Sequence, residues 1–283
     1  MDIKKVGVVG CGIMGSGIAQ VCAQAGYDVI VSDTSEDLLQ KGLASIDRIL
    51  SRSVEKGRIT HEEKEAVQGR MKGTISMDDF SGCDYMIEAV IEDLKIKQKV
   101  FEQLDKICPD HAILATNTSV LTVIDIASAT KRPEKVIGTH FANPVPVMKI
   151  VEVVKTIATS EETLAVTRTV CENLEKKVVV AKDGPGFLAN RISTPLLLNA
   201  VRALEEGAGT REDIDTLMKD GLGHPMGPLT LLDLIGIDTV CRGAEAIYEQ
   251  TKDPQYNPPS LMRQMVAVGW LGRKTGKGFY EYK

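Results

Sequence analysis

The segment VGVVGCGIMG, residues 6–15, decides the fold of the first half of this chain. It opens as a short apolar run, which is typical of a strand buried on both faces. Three glycines follow at the spacing G-x-G-x-x-G, and small and apolar residues then recur at helical spacing as far as Ala25. Gly26 marks the end of that helix, and the apolar run 29–31 leads to Asp33, eighteen residues after Gly15. The order strand, glycine turn, helix, strand and acid predicts a dinucleotide-binding unit.

Each glycine of the turn has its own expected role. Gly10 permits a tight turn, Gly12 leaves room for a pyrophosphate beside the backbone, and Gly15 lets the helix lie close to the strands. Backbone N–H groups at the start of the helix, those of Ile13 and Met14 among them, and the positive end of the helix dipole are expected to receive the phosphates.

Asp33 predicts which dinucleotide is bound. Its carboxylate can accept hydrogen bonds from both hydroxyls of an adenosine ribose, and it would repel a 2′-phosphate. The sequence therefore favours NAD over NADP. A glycine motif alone often marks no more than a flexible loop, but here strands, helix and acid all stand where dinucleotide binding needs them.

Composition limits the remaining possibilities. The 283 residues suffice for two domains. A net charge of −5 does not suggest a nucleic-acid binder, and no apolar run is long enough to cross a membrane. Six cysteines show no C-x-x-C pair and no metal-type spacing. Together with the lack of a signal peptide, this predicts a soluble cytoplasmic protein with reduced thiols and no metal site.

The pattern of strands predicts where the chain divides. Apolar strand-like runs alternate with helices until about residue 181, and the turn sequence DGPG, residues 183–186, then follows. We predict an α/β domain over residues 1–184, a Rossmann-type doubly wound sheet with a helical insertion at about 35–70. An all-α C-terminal domain follows over residues 185–283. Its first helix is strongly apolar on a wide face, which predicts a homodimer through the C-terminal helices.

Three polar residues follow the carboxyl ends of predicted strands. They are Glu92, Ser119 and His140. In open α/β sheets ligands bind beyond these strand ends, so the three residues are expected near the glycine turn. Their convergence indicates a catalytic site.

Glu152 lies within the next predicted strand, on the same face as two apolar neighbours. A buried glutamate needs a partner, and His140 is the nearest candidate in sequence. A tight hairpin that paired His140 with Met148 would set Glu152 about 13 Å away, opposite Val136. The pairing therefore needs another register, which the sequence does not supply.

Two basic segments have alternative interpretations. Arg48, Arg52 and Lys56 share one face of a predicted helix and form either a solvated face or a strip that binds a phosphorylated part of the substrate. The glycine-rich tail around Lys274 is either a frayed terminus or folds back onto an anion.

The chain resembles the short-chain L-3-hydroxyacyl-CoA dehydrogenase family along essentially its whole length, and the resemblance is closest to the clostridial type of 3-hydroxybutyryl-CoA dehydrogenase. The motifs that carry this resemblance recur in order: the glycine turn with Asp33, NTS at 117–119, HFANP at 140–144, Lys149 with Glu152, GPGF at 184–187 with Asn190 and Arg191, HPMGP at 224–228, and KTG at 274–276.

The resemblance implies a set of roles. His140 would be the general acid/base, Glu152 would orient it, and Ser119 and Asn190 would bind the reacting oxygen and the thioester carbonyl. Positions that contact the cofactor in the family correspond to Glu92, Lys97, Asn143 and Lys274, and the helix with Arg48, Arg52 and Lys56 would bind the CoA 3′-phosphate ADP. Ala142 and Val120 depart from a frequent Phe and a frequent Ser, which leaves the acyl-chain preference open.

The activity implied is the NAD-dependent interconversion of 3-hydroxybutyryl-CoA and acetoacetyl-CoA, in fatty acid and butyrate metabolism. One alternative is a longer-chain 3-hydroxyacyl-CoA dehydrogenase. A β-hydroxyacid dehydrogenase of free acids is disfavoured, because it typically has a lysine where this chain has Asn190-Arg191. A non-catalytic structural relative is disfavoured by the intact set Ser119, His140, Glu152 and Asn190.

Overall fold

The computed structural model describes residues 2–282 and divides into two compact units, one ending at Gly184 and one beginning at Pro185. The first unit is a twisted sheet flanked by helices, and the second is helical. The predicted fold class, a Rossmann-type sheet followed by an all-α domain, is confirmed.

The sheet of the first unit has eight strands in the order β3-β2-β1-β4-β5-β6-β7-β8. Strands β1 to β6 are parallel, β7 runs antiparallel to β6, and β8 is parallel to β7. The strands are β1 Lys5–Val9, β2 Asp28–Ser32, β3 Met71–Thr74, β4 Tyr85–Glu88, β5 Ile113–Thr116, β6 Val136–Phe141, β7 Ile150–Lys155 and β8 Lys177–Lys182.

Over residues 2–184 this unit has six α-helices: α1 Ile13–Gln24, α2 Glu36–Glu55, α3 His61–Gly69, α4 Leu94–Ile107, α5 Val123–Ala127 and α6 Glu161–Asn173. Local sequence signals set several of their ends. Ser35 caps α2 through the N–H of Leu38, and Thr60 and Glu63 form a reciprocal capping box on α3.

The inserted helices end in a strand that the sequence did not predict. The segment Met71–Thr74 pairs in parallel with β2 and forms the edge of the sheet. It contains Lys72 and Gly73 and is only partly buried, so it lacks the apolar run that identifies the central strands. The strand forms because it pairs with β2, which is distant in sequence. The prediction of a purely helical insertion at about 35–70 was therefore incomplete.

The core of the first unit explains the state of its cysteines. Alternate residues of the central strands, such as Val6 and Val8, are fully buried against α1 and its neighbours. Five cysteines lie in this unit, and burial raises the pKa of each thiol, that of Cys11 to about 11. Within residues 2–282 all six cysteines are free thiols.

The described part of the second unit, residues 185–282, contains five α-helices: α7 Ala189–Glu205, α8 Arg211–Thr216, α9 Pro228–Ile235, α10 Ile237–Thr251 and α11 Ser260–Ala267. Helix α8 ends at Thr216, and residues 217–221 continue it as a wider π turn. Among the residues described, no helix is long and apolar enough to cross a membrane.

The glycine-rich tail of the second unit folds back onto an acid of the chain itself. Asp233 is buried, and its carboxylate accepts hydrogen bonds from the backbone N–H groups of Phe279 and Tyr280, each at 2.9 Å. The hydroxyl of Tyr282 donates to the same carboxylate at 2.9 Å. The tail is therefore held in place by Asp233 and is not frayed over the residues described.

Candidate active site

The glycine turn between β1 and α1 has the geometry that a dinucleotide requires. A Cβ on Gly15 would overlap the carbonyl oxygen of Gly10, so this glycine allows the helix to lie close to the end of the strand. Gly10 itself has a φ of +97°, and a Cβ there would lie 2.7 Å from the carbonyl oxygen of Ala89. Two of the three glycines are therefore required by packing and by backbone conformation.

Gly12 differs from the other two, because a Cβ built on it meets no atom within 4 Å. The space beside it is open, as a phosphate group approaching the backbone would need. Gly12 caps α1, and the first turn of that helix carries no acidic residue. The first N–H groups of a helix, here those of Ile13, Met14 and Gly15, have no partner within the helix. The turn therefore fits the pyrophosphate of NAD.

Asp33 follows β2, and its carboxylate lies next to the turn. Its Oδ2 accepts a hydrogen bond from the backbone N–H of Cys11 at 2.9 Å, and its Oδ1 accepts one from Thr34 at 2.7 Å. The side chain is half-buried. The structure thus places Asp33, the predicted ribose-binding acid, next to the glycine turn. Its carboxylate also holds that turn through the hydrogen bond from Cys11, which the sequence did not reveal.

Glu92 and Ser119, which follow the ends of β4 and β5, are in direct contact. The Oε1 of Glu92 accepts hydrogen bonds from the backbone N–H groups of Ser119 at 2.9 Å and Val120 at 3.2 Å, and also from the hydroxyl of Thr118. The loop that carries Ser119 is therefore fixed by the carboxylate of Glu92. This agrees with the expected convergence of strand ends.

Lys97 lies beneath this contact rather than at the surface. Its side chain is 1% exposed, and its Nζ lies 2.7 Å from Oε1 of Glu88 and 3.3 Å from Oε2 of Glu92. Burial raises the pKa of Glu92, but the charge of Lys97 and the hydrogen bonds from the Ser119 loop outweigh it and lower that pKa overall. In this structure Lys97 orients Glu92, and its contact with the cofactor remains a prediction.

Glu88 is a site residue that the sequence analysis missed. It is the last residue of β4, is fully buried, and accepts hydrogen bonds from Lys97 and from the hydroxyl of Thr116 at 2.7 Å. An acid at the end of an apolar strand, with a lysine nine residues later, was the available signal. Only the fold shows that the two side chains meet.

His140 and Glu152 are brought together by the antiparallel pairing of β6 and β7. The register places the two residues directly opposite each other, and Nδ1 of His140 lies 3.1 Å from Oε2 of Glu152. The imidazole is 18% exposed and the carboxylate 6%. A carboxylate next to Nδ1 favours the tautomer that has its proton on Nδ1. Nε2 is then the ring nitrogen that can exchange a proton. This pair can therefore act as an oriented acid/base.

Two neighbours complete the surroundings of the His140–Glu152 pair. The backbone N–H of Phe141 donates to Oδ1 of Asn117 at 3.0 Å, which ties the end of β6 to the residue before the Ser119 loop. Asn143 is exposed at the start of the loop that follows β6, and its contact with the cofactor remains a prediction.

The predicted basic strip lies along α2 and just past its end. Arg48, Arg52 and Lys56 are all exposed, and Arg48 donates to the hydroxyl of Ser45 at 3.2 Å. The side chains present charge to solvent in the way that either interpretation of the strip requires. Binding of the CoA phosphate remains a prediction.

The two predicted site residues of the second unit lie in different elements. Asn190 is in the first turn of α7. Lys274 forms an ion pair with Asp238 at the start of α10. Burial raises the pKa of Asp238, but its bond to Lys274 outweighs burial and lowers the pKa overall. Their predicted contacts with substrate and cofactor remain predictions. Within residues 2–282 no cluster of three or more potential ligands could hold a metal ion.

Comparison with known proteins shows matches along the whole chain. Residues 5–184 match the family model described as 3-hydroxyacyl-CoA dehydrogenase, NAD binding domain, and residues 186–282 match the corresponding C-terminal domain. A relative from Bacillus subtilis, named probable 3-hydroxybutyryl-CoA dehydrogenase, is 44% identical over 283 residues, which are 100% of this chain and 99% of the relative. A mitochondrial hydroxyacyl-coenzyme A dehydrogenase of Mus musculus is 43% identical and covers 99% of this chain and 92% of the relative.

The crystal structure of (S)-3-hydroxybutyryl-CoA dehydrogenase from Ralstonia eutropha superimposes with a TM-score of 0.96 at 42% identity, and each chain is covered completely. Sequence and fold therefore match the same group of proteins.

Proposed function

The chain belongs to the 3-hydroxyacyl-CoA dehydrogenase family, and on that basis we propose that it is an NAD-dependent (S)-3-hydroxybutyryl-CoA dehydrogenase. It would interconvert 3-hydroxybutyryl-CoA and acetoacetyl-CoA. The observation that carries this proposal is the buried His140–Glu152 pair, which lies in the same unit as the NAD-binding turn. The names of full-length relatives at 42–44% identity support the C4 substrate.

The glycine turn and Asp33 would hold the dinucleotide. When bound, NAD supplies the chemistry that this chain lacks, because it accepts a hydride from C3 of the substrate and NADH returns one in the reverse direction. Open space at Gly12 and the helix start behind it fit the pyrophosphate, and Asp33 fits the ribose.

His140 would take the proton of the 3-hydroxyl group while C3 is oxidised, and it would return a proton to the carbonyl oxygen in the reduction. Glu152 keeps the imidazole oriented through Nδ1 and stabilises the imidazolium once it forms. Such an acid/base accelerates the reaction by ~10²–10⁴-fold.

Ser119 would hydrogen-bond the reacting oxygen, where charge develops. Glu92 holds the backbone N–H of Ser119, so the loop that carries this hydroxyl is already in place when the substrate arrives. Asn190 would bind the thioester carbonyl, and Lys274 and Asn143 would contact the cofactor. These four roles rest on the family resemblance.

One assay tests the activity. The purified chain should oxidise NADH, followed at 340 nm, when acetoacetyl-CoA is added. Free acetoacetate should give no comparable rate. Lack of turnover with acetoacetyl-CoA would exclude the proposal and would favour a non-catalytic relative.

The same assay across 3-ketoacyl-CoA chain lengths addresses the second candidate, a longer-chain 3-hydroxyacyl-CoA dehydrogenase. The mouse relative, whose name specifies no chain length, is 43% identical, nearly as similar as the bacterial relatives named for the C4 substrate. A kcat/KM that peaks at C4 supports the main proposal, and a peak at C8 or beyond supports the alternative.

We also propose a homodimer through the C-terminal helices, located in the cytoplasm. Ile192 on α7 is 63% exposed and Leu188 just before it is 41% exposed, which is unusual for large apolar side chains on a helical unit that has its own core. The free buried thiols fit a reducing compartment. Replacing Ile192 by Glu should convert a dimer to a monomer in size-exclusion chromatography with light scattering.

A further inference from the structure

Lys176, directly before β8, is a buried lysine to which the proposed mechanism gives no part. It is 5% exposed, and its Nζ donates hydrogen bonds to the backbone carbonyls of Val145 at 2.6 Å and Met148 at 2.7 Å. Burial, together with the nearby charge of Lys149, lowers its pKa. Burial of a charged group is costly unless the group is hydrogen-bonded, and these two carbonyls supply hydrogen bonds to the Lys176 ammonium.

Both carbonyls belong to the loop of residues 142–149, which joins β6 to β7. Hairpin loops of two to five residues set the register of their strands through the geometry of the turn. This loop has eight residues, so its turn geometry does not determine which residue of β7 faces His140. The register that places Glu152 opposite His140 needs support from outside the loop, and the ladder between β7 and β8 supplies part of it.

The structure shows where that support comes from. Val145, in the middle of the loop, is buried beside α1, and a Cβ on Gly17 would lie 3.0 Å from its Cβ. The backbone N–H of Lys177 donates to the carbonyl of Lys149 at 2.7 Å. Between these two contacts, Lys176 binds two carbonyls that lie outside the strand ladder. The loop is thus held between the nucleotide-binding helix and the start of β8, with Lys176 at its centre.

We propose that Lys176 is a positioning residue of the dehydrogenase reaction, which holds the loop 142–149 so that Glu152 stays opposite His140. This inference rests on the proposed function, since it concerns the same acid/base pair. The effect is exerted through backbone carbonyls, and Lys176 itself touches neither substrate nor cofactor in this proposal. A misplacement of about 1 Å in such a pair costs on the order of 10²-fold in rate.

The first test compares Lys176→Met with Lys177→Met. Methionine keeps the length of the side chain but donates no hydrogen bond, whereas Lys177 is exposed and serves as the matched control. With acetoacetyl-CoA and NADH we expect Lys176→Met to lower kcat by ~10-fold or more, with a smaller change in either KM. Lys177→Met should match the wild type. Lys176→Arg, which keeps donors, should recover part of kcat.

A double-mutant cycle separates positioning from a general loss of structure. If Lys176 acts through the His140–Glu152 pair, Lys176→Met should have little further effect on kcat in a Glu152→Gln background. Equal fold losses in both backgrounds would overturn the proposal, and so would a kcat unchanged by Lys176→Met.

If Lys176→Met does not fold, as judged by circular dichroism and NADH fluorescence, Lys176→Arg takes its place in the cycle. If the wild type is active but the effects of the two substitutions on kcat are independent, only the positioning role is refuted. An inactive wild type refutes the proposed function and the positioning role together.

Discussion

The carboxylate of Asp33 accepts a hydrogen bond from the backbone N–H of Cys11 across 2.9 Å. The acid at the end of β2 therefore also holds the glycine turn at the end of β1. If Asp33 binds the ribose as we propose, one side chain couples cofactor choice to the shape of the glycine turn, and a substitution of Asp33 should change both.

The wild type should use NADH much better than NADPH, because the carboxylate repels a 2′-phosphate. Asp33→Ser should raise the ratio of NADPH to NADH in kcat/KM by at least ~10-fold, and it should weaken NADH binding because the turn loses its support. Steady-state kinetics with both cofactors measure this. Asp28→Ser, an exposed acid at the other end of β2, is the control. Equal rates with the two cofactors in the wild type would contradict the assignment.

Substitutions of Gly12 and Gly15 should differ in their effects on stability and on NADH binding. Gly12→Ala adds a methyl group to open space, so the melting temperature should not change while NADH binding weakens strongly. Gly15→Ala overlaps the carbonyl of Gly10 and should destabilise the fold by about 1–3 kcal/mol. Thermal melts and NADH fluorescence titrations distinguish the two, with Gly69→Ala as a control at another open position. A Gly12→Ala variant that binds NADH normally would argue against a phosphate beside this residue.

His140→Gln should lower kcat by ~10²–10⁴-fold while NADH still binds, since the amide cannot exchange a proton at neutral pH. Glu152→Gln should have a smaller effect, because the imidazole remains but loses its anionic partner. Stopped-flow reduction of acetoacetyl-CoA and NADH titrations test both. Retained turnover in His140→Gln would exclude it as the acid/base.

The basic strip can be tested by charge reversal. Arg52→Glu should raise the KM for acetoacetyl-CoA by roughly 10-fold and leave kcat nearly unchanged, because the contact is with a remote phosphate. The effect should disappear with acetoacetyl-pantetheine, which lacks the 3′-phosphate ADP, and it should shrink at high salt. Lys106→Glu, an exposed lysine on α4, is the control. An equal effect on both thioesters would favour the solvated-face interpretation.

Asp84 should contribute stability that is lost in acid. Its carboxylate accepts hydrogen bonds from the N–H groups of Lys4 and Lys5, each at 2.9 Å, and lies 3.0 Å from His111. Burial raises its pKa, but these contacts outweigh burial and lower the pKa below its ordinary value of 3.8.

Because the folded pKa is depressed, this stability is fully present above the ordinary pKa and is lost as pH falls through the folded pKa. Asp84→Asn should therefore lower the melting temperature at pH 7, and the difference from the wild type should shrink below about pH 4. The exposed Asp78→Asn should show no such trend. A difference that stays constant down to pH 2.5 would contradict the role given to Asp84.

A structural element can be predicted from the sequence when the residues that determine it are close together in the chain. The turn at Gly10–Gly15 and the cap at Thr60 are local, because the residues that define them are neighbours in the chain. The strand Met71–Thr74 has no local signal, and it exists because β2 offers an edge. Sequence patterns therefore predicted the fold class but missed the edge strand Met71–Thr74.

The candidate site shows the same division. The sequence indicated that Glu152 needs a partner and that His140 is a candidate, but an eight-residue loop makes their register a tertiary property. Lys97 is a charged residue in a charged helix, and nothing in that pattern shows that it is buried against Glu88. The sequence therefore nominates candidate residues such as His140 and Glu152, but it does not show how side chains pair, and it missed Glu88 for that reason.

The reversal of β7 relative to β6 has a consequence for how the activity could be altered. Glu152 lies in a strand that is hydrogen-bonded on both sides, to β6 and to β8, so two backbone ladders add to the loop contacts that hold it opposite His140. Val120, where the resemblance implies a departure from a frequent Ser, lies outside those ladders and outside the loop 142–149. On the proposed function, a substitution at Val120 could alter the acyl group that is accepted and leave the pairing of His140 with Glu152 in place, whereas a substitution at Ala142 would also act on the loop that Lys176 holds.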